Sequence, residues 1–341
     1  MKQAVMTAPG RIEFRDVPAP APAPDQVLVR VRRIGVCGSD IHVFHGKHPY
    51  TPYPVVQGHE VSGVVERVGA AVGDLRAGDP VTFQPQVTCG TCYPCTHGAY
   101  HICDQLKVMG FQTTGAASEL FAVDASKVLR LPASLSLEEG AMVEPLAVAV
   151  HALERVGGAA GLKVLVLGAG PIGNLVAQAA RGLGASAVMI TDVSEHRLAL
   201  AGRCGVERRV NPARADLFQA VREAFGPDRA DLVLECVGVQ ATVEQAVAVA
   251  RKGTDVVVVG VFGDKPVVDL GLVQDRELRL VGTLMYQRPD WVKAISLIEE
   301  RKVDLAPLVT DRFPFPDYQR AYQYIDANRE RAMKVMITLD A

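Results

Sequence analysis

Hydrophobic and polar positions follow two different patterns along the chain. Up to about residue 147 the apolar residues come in short, β-branched, partly alternating runs. Val27-Leu28-Val29-Arg30-Val31 is one, and Val61-Ser62-Gly63-Val64-Val65-Glu66-Arg67-Val68 is another, punctuated by Gly69 and Gly73. Gly73, Gly78 and Asp79 mark a turn into Val81-Thr82-Phe83, and Met1-Lys2-Gln3-Ala4-Val5 runs straight into a strand-like pattern. This half reads as rich in β structure. The Pro-Ala repeat from Pro18 to Pro24 reads as a stiff, extended surface loop rather than a domain boundary.

The pattern changes near residue 161. Lys163-Val164-Leu165-Val166-Leu167 is apolar without alternation, as in a strand buried on both faces of a parallel sheet. Further strands are predicted at Ala187–Thr191, Asp231–Glu235, Asp255–Val259 and Glu277–Val281. Helices are predicted between them, at Ile172–Leu183, Ser194–Arg203, Asp216–Phe225 and Gln240–Arg251. Such alternation implies a doubly wound α/β domain. A helix at Trp291–Arg301 and a strand at Lys334–Leu339 follow, and no repeat of solenoid period is present.

Composition narrows the partners. The 341 residues suggest about two domains, and the mix of 49% hydrophobic and 22% charged residues is that of a soluble globular protein. Thirty-six basic residues against 38 acidic ones leave a charge of −2, no basis for nucleic acid or an anionic membrane as partner. No apolar run approaches the roughly 20 residues of a membrane span, and the N-terminus lacks a signal peptide's apolar stretch. The expectation is a cytoplasmic protein. Of seven cysteines, four crowd between positions 89 and 103. In a cytoplasmic chain, clustered thiols point to metal rather than to disulfides.

Three stretches carry chemistry. Cys37, His59 and Glu60 offer the thiolate, imidazole and carboxylate that a catalytic zinc takes, with one position left open. Ser39 and His42 stand beside the thiol in sequence, and both can pass a proton. Cys89, Cys92, Cys95 and Cys103 have the spacing C-x2-C-x2-C-x7-C, and four thiolates close a tetrahedral zinc site. Gly168-Ala169-Gly170-Pro171-Ile172-Gly173 is a dinucleotide fingerprint between a buried strand and a helix. Asp192 ends the next strand, where a carboxylate takes the ribose hydroxyls and disfavours a 2′-phosphate. NAD is therefore expected over NADP, with Arg197, one helical turn on, softening the preference. Cys204 and Cys236 have no partners in sequence and read as small buried hydrophobes.

In these motifs, taken in order, the chain resembles the zinc-containing medium-chain dehydrogenases, the group of alcohol, sorbitol and threonine dehydrogenases. Gly35-Val36-Cys37-Gly38-Ser39-Asp40-Ile41-His42 and Gly58-His59-Glu60 match the first two zinc-ligand motifs, and Glu144-Pro145-Leu146 the third. Glu144 and Tyr53-Pro54-Val55-Val56-Gln57-Gly58-His59-Glu60 favour the polyol and sugar-acid branch. Met285 stands where sorbitol-type members tend to have Arg beside a Tyr, here Tyr286, which argues against sorbitol itself. Gly115-Ala116-Ala117-Ser118-Glu119 is a further departure.

The resemblance implies a GroES-like, partly open β-barrel catalytic domain over 1–147, completed by 287–341. An inserted Rossmann domain over 148–286 and an active site in the cleft between them are also implied. It further implies two zincs per chain, one catalytic and one structural, NAD, a small alcohol or polyol substrate, and a homodimer or homotetramer. Cys37, His59 and either Glu60 or Glu144 would hold the catalytic zinc, the other carboxylate remaining close by. Ser39 and His42 would relay the proton, and His45 and His48 are candidates to touch a polar substrate. The rival readings are an L-threonine, amino-alcohol or butanediol-type dehydrogenase, and a non-catalytic dinucleotide-binding protein on the same fold. The last is disfavoured because Cys37, His59, Glu60 and Glu144 are all present.

Overall fold

The strand Gln26–Val36 is the spine of the first half. Its buried valines and Ile34 face a core shared with Val61, Val65, Val81 and Phe83. The computed structural model describes residues 1–340. The chain divides into two compact units, one of Met1–Glu144 with Val309 onward, the other of Pro145–Leu308.

The first unit is built on a seven-stranded sheet. Its order is Val309–Pro314, Lys334–Thr338, Gln26–Val36, Glu60–Val68, Pro80–Phe83 and Val128–Arg130, with Leu120–Asp124 also on the spine. The spine's first half takes Leu120–Asp124 and its second half takes Lys334–Thr338, both antiparallel, while Glu60–Val68 covers the other edge. Two register shifts against Glu60–Val68 bend it. Among the described residues the outer strands do not pair with each other, so the sheet stays open. Gly35 lies opposite both Glu60 and Met336, which brings the starts of two distant strands together at the spine's end.

The second unit carries a six-stranded parallel sheet, in the order Arg208–Val210, Ala187–Thr191, Lys163–Leu167, Leu232–Glu235, Asp255–Val258 and Arg279–Gly282. Val164 to Leu167 are wholly buried, as their unbroken apolar run predicts. Strand order reverses at Lys163–Leu167, the switch point where open α/β sheets bind ligands. The helices Pro171–Gly182, Glu195–Arg203, Leu217–Phe225, Gln240–Val249 and Arg288–Glu299 lie within a few residues of their expected bounds.

The expected return to the first domain at residue 287 lies ahead of the division observed after Leu308. The reason is packing: the helix Arg288–Glu299 buries Trp291, and its Asp290 pairs with His151 of the same unit at 2.8 Å. Helices Gly38–Phe44, Val143–Glu154 and Tyr318–Ala327, and strands Arg11–Asp16, Leu120–Asp124, Arg208–Val210 and Val309–Pro314, are additional to the expected elements. Among the described residues no helix is long and apolar enough to cross a membrane.

Candidate metal and dinucleotide sites

Cys37 ends the spine strand and opens the helix Gly38–Phe44. Asp40, in the first turn of that helix, accepts the Cys37 N–H at 2.9 Å and fixes the entry of the chain. Its other oxygen accepts from Gln57 Nε2 at 3.0 Å, and Gln57 in turn accepts from Tyr322 Oη at 2.9 Å. The same Asp40 oxygen lies 3.4 Å from His59 Nδ1. That contact is electrostatic rather than a formed hydrogen bond, since among the described residues Nδ1 has no partner of hydrogen-bond geometry. Burial works against a charged His59, but Asp40 and then Cys37 outweigh it and raise its pKa well above the ordinary value.

Glu60 begins its strand opposite Gly35. A Cβ on Gly35 would lie 2.1 Å from Glu60 Oε2, so glycine there leaves the carboxylate its space. Both Glu60 oxygens accept from Lys334 Nζ, at 2.6 and 2.7 Å, and all of these groups are buried. Burial works to lower the Lys334 pKa. Glu60, Cys37 and Glu144 outweigh it, so the ammonium is held charged above its usual range.

The ligand atoms of Cys37, His59 and Glu60 lie within 4.8 Å of one another. Tetrahedral zinc, with bonds of about 2.0–2.3 Å, sets its ligand atoms roughly 3.3–3.8 Å apart. A half-buried thiol with a buried ring nitrogen and a buried carboxylate fit that ion. Glu144 is buried at the start of the helix Val143–Glu154, outside this trio, and acts on Lys334. Ser39 and His42 lie three residues apart on the helix Gly38–Phe44, hence on one face. His45 is tied to Asp326 at 2.7 Å, and His48 Nδ1 to Thr51 Oγ1 at 2.7 Å. Lys334 and Asp40 are the residues around this trio whose contacts reasoning from sequence missed. Lys334 left one signal, a lone cation at the head of an otherwise apolar strand.

The four-cysteine loop fits a second ion. Cys103 Sγ lies 3.7 Å from Cys92 Sγ and 3.5 Å from Cys89 Sγ, close to the edge length of a zinc–sulfur tetrahedron. Backbone N–H groups of Cys92 and Thr91 point at Cys89 Sγ, and those of Cys89 and Gln105 at Cys103 Sγ. Such donors stabilise thiolate, and with Thr91 first among them they bring the Cys89 pKa down to about 6. Cys95 belongs to the same group. Cys204 is buried as expected and Cys236 is partly so.

In the other unit, Gly168 has φ of +99°, and Gly173 packs so closely that a Cβ would lie 1.9 Å from the Gly168 carbonyl oxygen. Gly170 precedes the helix Pro171–Gly182, with Pro171 and Ile172 in its first turn. The loop, strand and helix N-terminus form the cradle a pyrophosphate takes. Asp192 Oδ2 accepts the Ala169 N–H and its Oδ1 the Ser194 N–H, each at 2.8 Å. The Asp therefore shapes the glycine loop. Arg197 Nη1 stands 3.8 Å from Asp192 Oδ2 and partly neutralises it.

Comparison with known proteins bears on the family of the chain. Residues 23–133 match the alcohol dehydrogenase GroES-like domain, and residues 171–300 match the zinc-binding dehydrogenase domain. The chain is 36% identical to the 2-dehydro-3-deoxy-L-galactonate 5-dehydrogenase of Pseudoalteromonas atlantica, over 94% of each sequence. It is 32% identical to the sorbitol dehydrogenase of Ovis aries, over 98% of this chain and 96% of that one. A solved zinc-binding dehydrogenase from Sinorhizobium meliloti 1021, bound to NADP, superposes with a TM-score of 0.91 at 31% identity, over 99% of each chain.

Proposed function

The chain belongs to the zinc-containing medium-chain dehydrogenases, in their polyol branch, and on that premise we propose that it oxidises a secondary alcohol with NAD, reversibly. The substrate class is polyols, sugars and sugar acids. The observation that carries this reading is the convergence of a half-buried Cys37 with the buried His59 and Glu60, braced by Asp40 and Lys334. A dinucleotide-binding protein without catalysis has no use for such a group. Two zincs per chain, a homo-oligomer and a cytoplasmic setting complete the reading. The thiol-only chemistry of the seven cysteines supports the last.

When bound, zinc supplies the Lewis acidity that lowers the pKa of a substrate hydroxyl, and NAD supplies the hydride acceptor. Cys37 and His59 would hold the ion together with Glu60 or Glu144. The buried Lys334 fixes Glu60 and balances its charge, so the carboxylate is kept in reach without drifting. Asp40 turns the His59 ring so that its Nε2 is left for the metal. Ser39 would accept the proton of the substrate hydroxyl while releasing its own towards His42, which lies exposed one turn on and would hand that proton to solvent. Residues Gly168 to Gly173 would take the pyrophosphate. Asp192 would take the ribose hydroxyls, which supports NAD; its neighbour Arg197 moderates that choice.

The test is NADH formation by the zinc-loaded protein on polyols, aldonic acids, short diols, simple alcohols and L-threonine, each with NAD and with NADP. Turnover on polyols or sugar acids is expected, with NAD preferred. Cys37→Ser should abolish turnover and spare NADH binding. Full activity in that variant would sink the metal assignment, and activity on L-threonine alone would move the chain to the amino-alcohol group.

A further inference from the structure

We propose that His48 is a specificity residue, whose Nε2 hydrogen-bonds a hydroxyl or carboxylate oxygen carried several carbons away from the reacting carbinol. This rests on the function proposed above and names a residue that would enforce its substrate class. The argument begins with the ring's orientation. Nδ1 is bonded to Thr51 Oγ1 at 2.7 Å, and Thr51 is itself buried, so the imidazole is anchored from one side. Among the described residues Nε2 has no hydrogen-bond partner. Because a threonine hydroxyl can donate or accept, the ring can present Nε2 either as N–H or as a lone pair.

The position follows from a run of three rings. His48 packs on Phe111 with centroids 5.0 Å apart and planes 32° apart, and Phe111 packs on His59 at 5.0 Å and 48°. His48 thus stands at most two such spacings from a metal-ligand candidate. Phe111 is buried and His48 half-buried, so a single free nitrogen is set at the margin of an apolar wall. Sites that choose among small ligands are built in this way, with few polar groups on an apolar lining. His48 also lies within electrostatic reach of His42 and Asp40. The lone oxygen of a simple alcohol, held at the metal, cannot span two ring spacings. A distal oxygen of a polyol or sugar acid can. His45, three residues earlier, is tied through its Nε2 to Asp326 on the helix Tyr318–Ala327.

The experiment uses the full-length, zinc-loaded enzyme with NAD. It compares kcat/KM on the best polyol or sugar acid with kcat/KM on 2-butanol, for wild type, His48→Phe and His48→Asn. Phenylalanine keeps the ring packing on Phe111 and removes the hydrogen bond; asparagine keeps a polar group. The polyol-to-butanol ratio should fall about tenfold to a hundredfold in His48→Phe, chiefly through KM on the polyol, and recover in part in His48→Asn. An unchanged ratio in His48→Phe overturns the inference. So does a wild type that prefers 2-butanol to every polyol and acid, although the dehydrogenase reading then stands. A wild type silent on every alcohol, with zinc and NADH bound, brings down the function proposed above and this inference with it.

Discussion

Lys334 and Glu60 show how much rests on single side chains. A buried ion pair contributes little net stability when intact, but stranding one partner costs about 3–5 kcal/mol. Lys334→Met should therefore destabilise the metal-free protein by about that amount in urea unfolding. Adding Glu60→Gln should recover most of the loss, and additive losses would show that the two are not coupled. Gly173→Ala makes a second residue-scale case. Its new methyl would meet the Gly168 carbonyl oxygen at 1.9 Å, in backbone that cannot yield. NADH affinity, read by fluorescence titration, should drop at least about tenfold while the far-ultraviolet dichroism stays native. Asp192→Ala should weaken both dinucleotides, because Oδ2 holds the Ala169 N–H. NAD should lose more than NADP, and equal losses would remove Asp192 from ribose recognition. Most candidate residues were legible in the sequence because thiols, glycines and an acid at fixed spacing have few other uses. Lys334 was not, because its partner lies 274 residues away and only strand register joins them.

Among elements, legibility followed periodicity. The parallel strands stood out as unbroken apolar runs, and the helices between them as amphipathic segments. The helix Val143–Glu154 did not, since Val143, Leu146, Ala147, Ala149, Val150, Ala152 and Leu153 are all wholly buried. A helix apolar nearly all round has no polar face to give it a period. The edge strands Arg208–Val210 and Val309–Pro314 were missed because each is short or carries charge, and their pairing comes from neighbours rather than from their own pattern. The four-cysteine loop is the element most dependent on an ion. Its secondary structure is limited to the short turns Tyr93–Thr96 and Tyr100–Ile102. Cys89→Ser should lower bound zinc by one per chain and open residues 89–103 to proteolysis, read by metal analysis and mass mapping of the cleavage sites. Unaltered zinc content would mean that the loop is closed without metal.

For the molecule as a whole, the edge strand Arg279–Gly282 has no neighbour on its outer side among the described residues. Leu280 and Leu284 are exposed there, and so are Val261 and Val267 of the same unit. An unpaired edge with apolar side chains is a template for a second copy. Light scattering should give a dimer or tetramer, and Leu280→Lys with Leu284→Asp should shift it to monomer. An unaltered mass would exclude this edge as the contact. The thiolate loop has a consequence of another kind. Cys103 Sγ lies 3.5 Å from Cys89 Sγ and 3.7 Å from Cys92 Sγ, while a disulfide needs about 2.05 Å, and a thiol as acidic as Cys89 forms one readily once an oxidant reaches it. The ion that shapes the loop is thus also its guard against oxidants. Shortage of zinc would be written into the protein as a covalent crosslink, which outlasts the shortage until a reductant removes it.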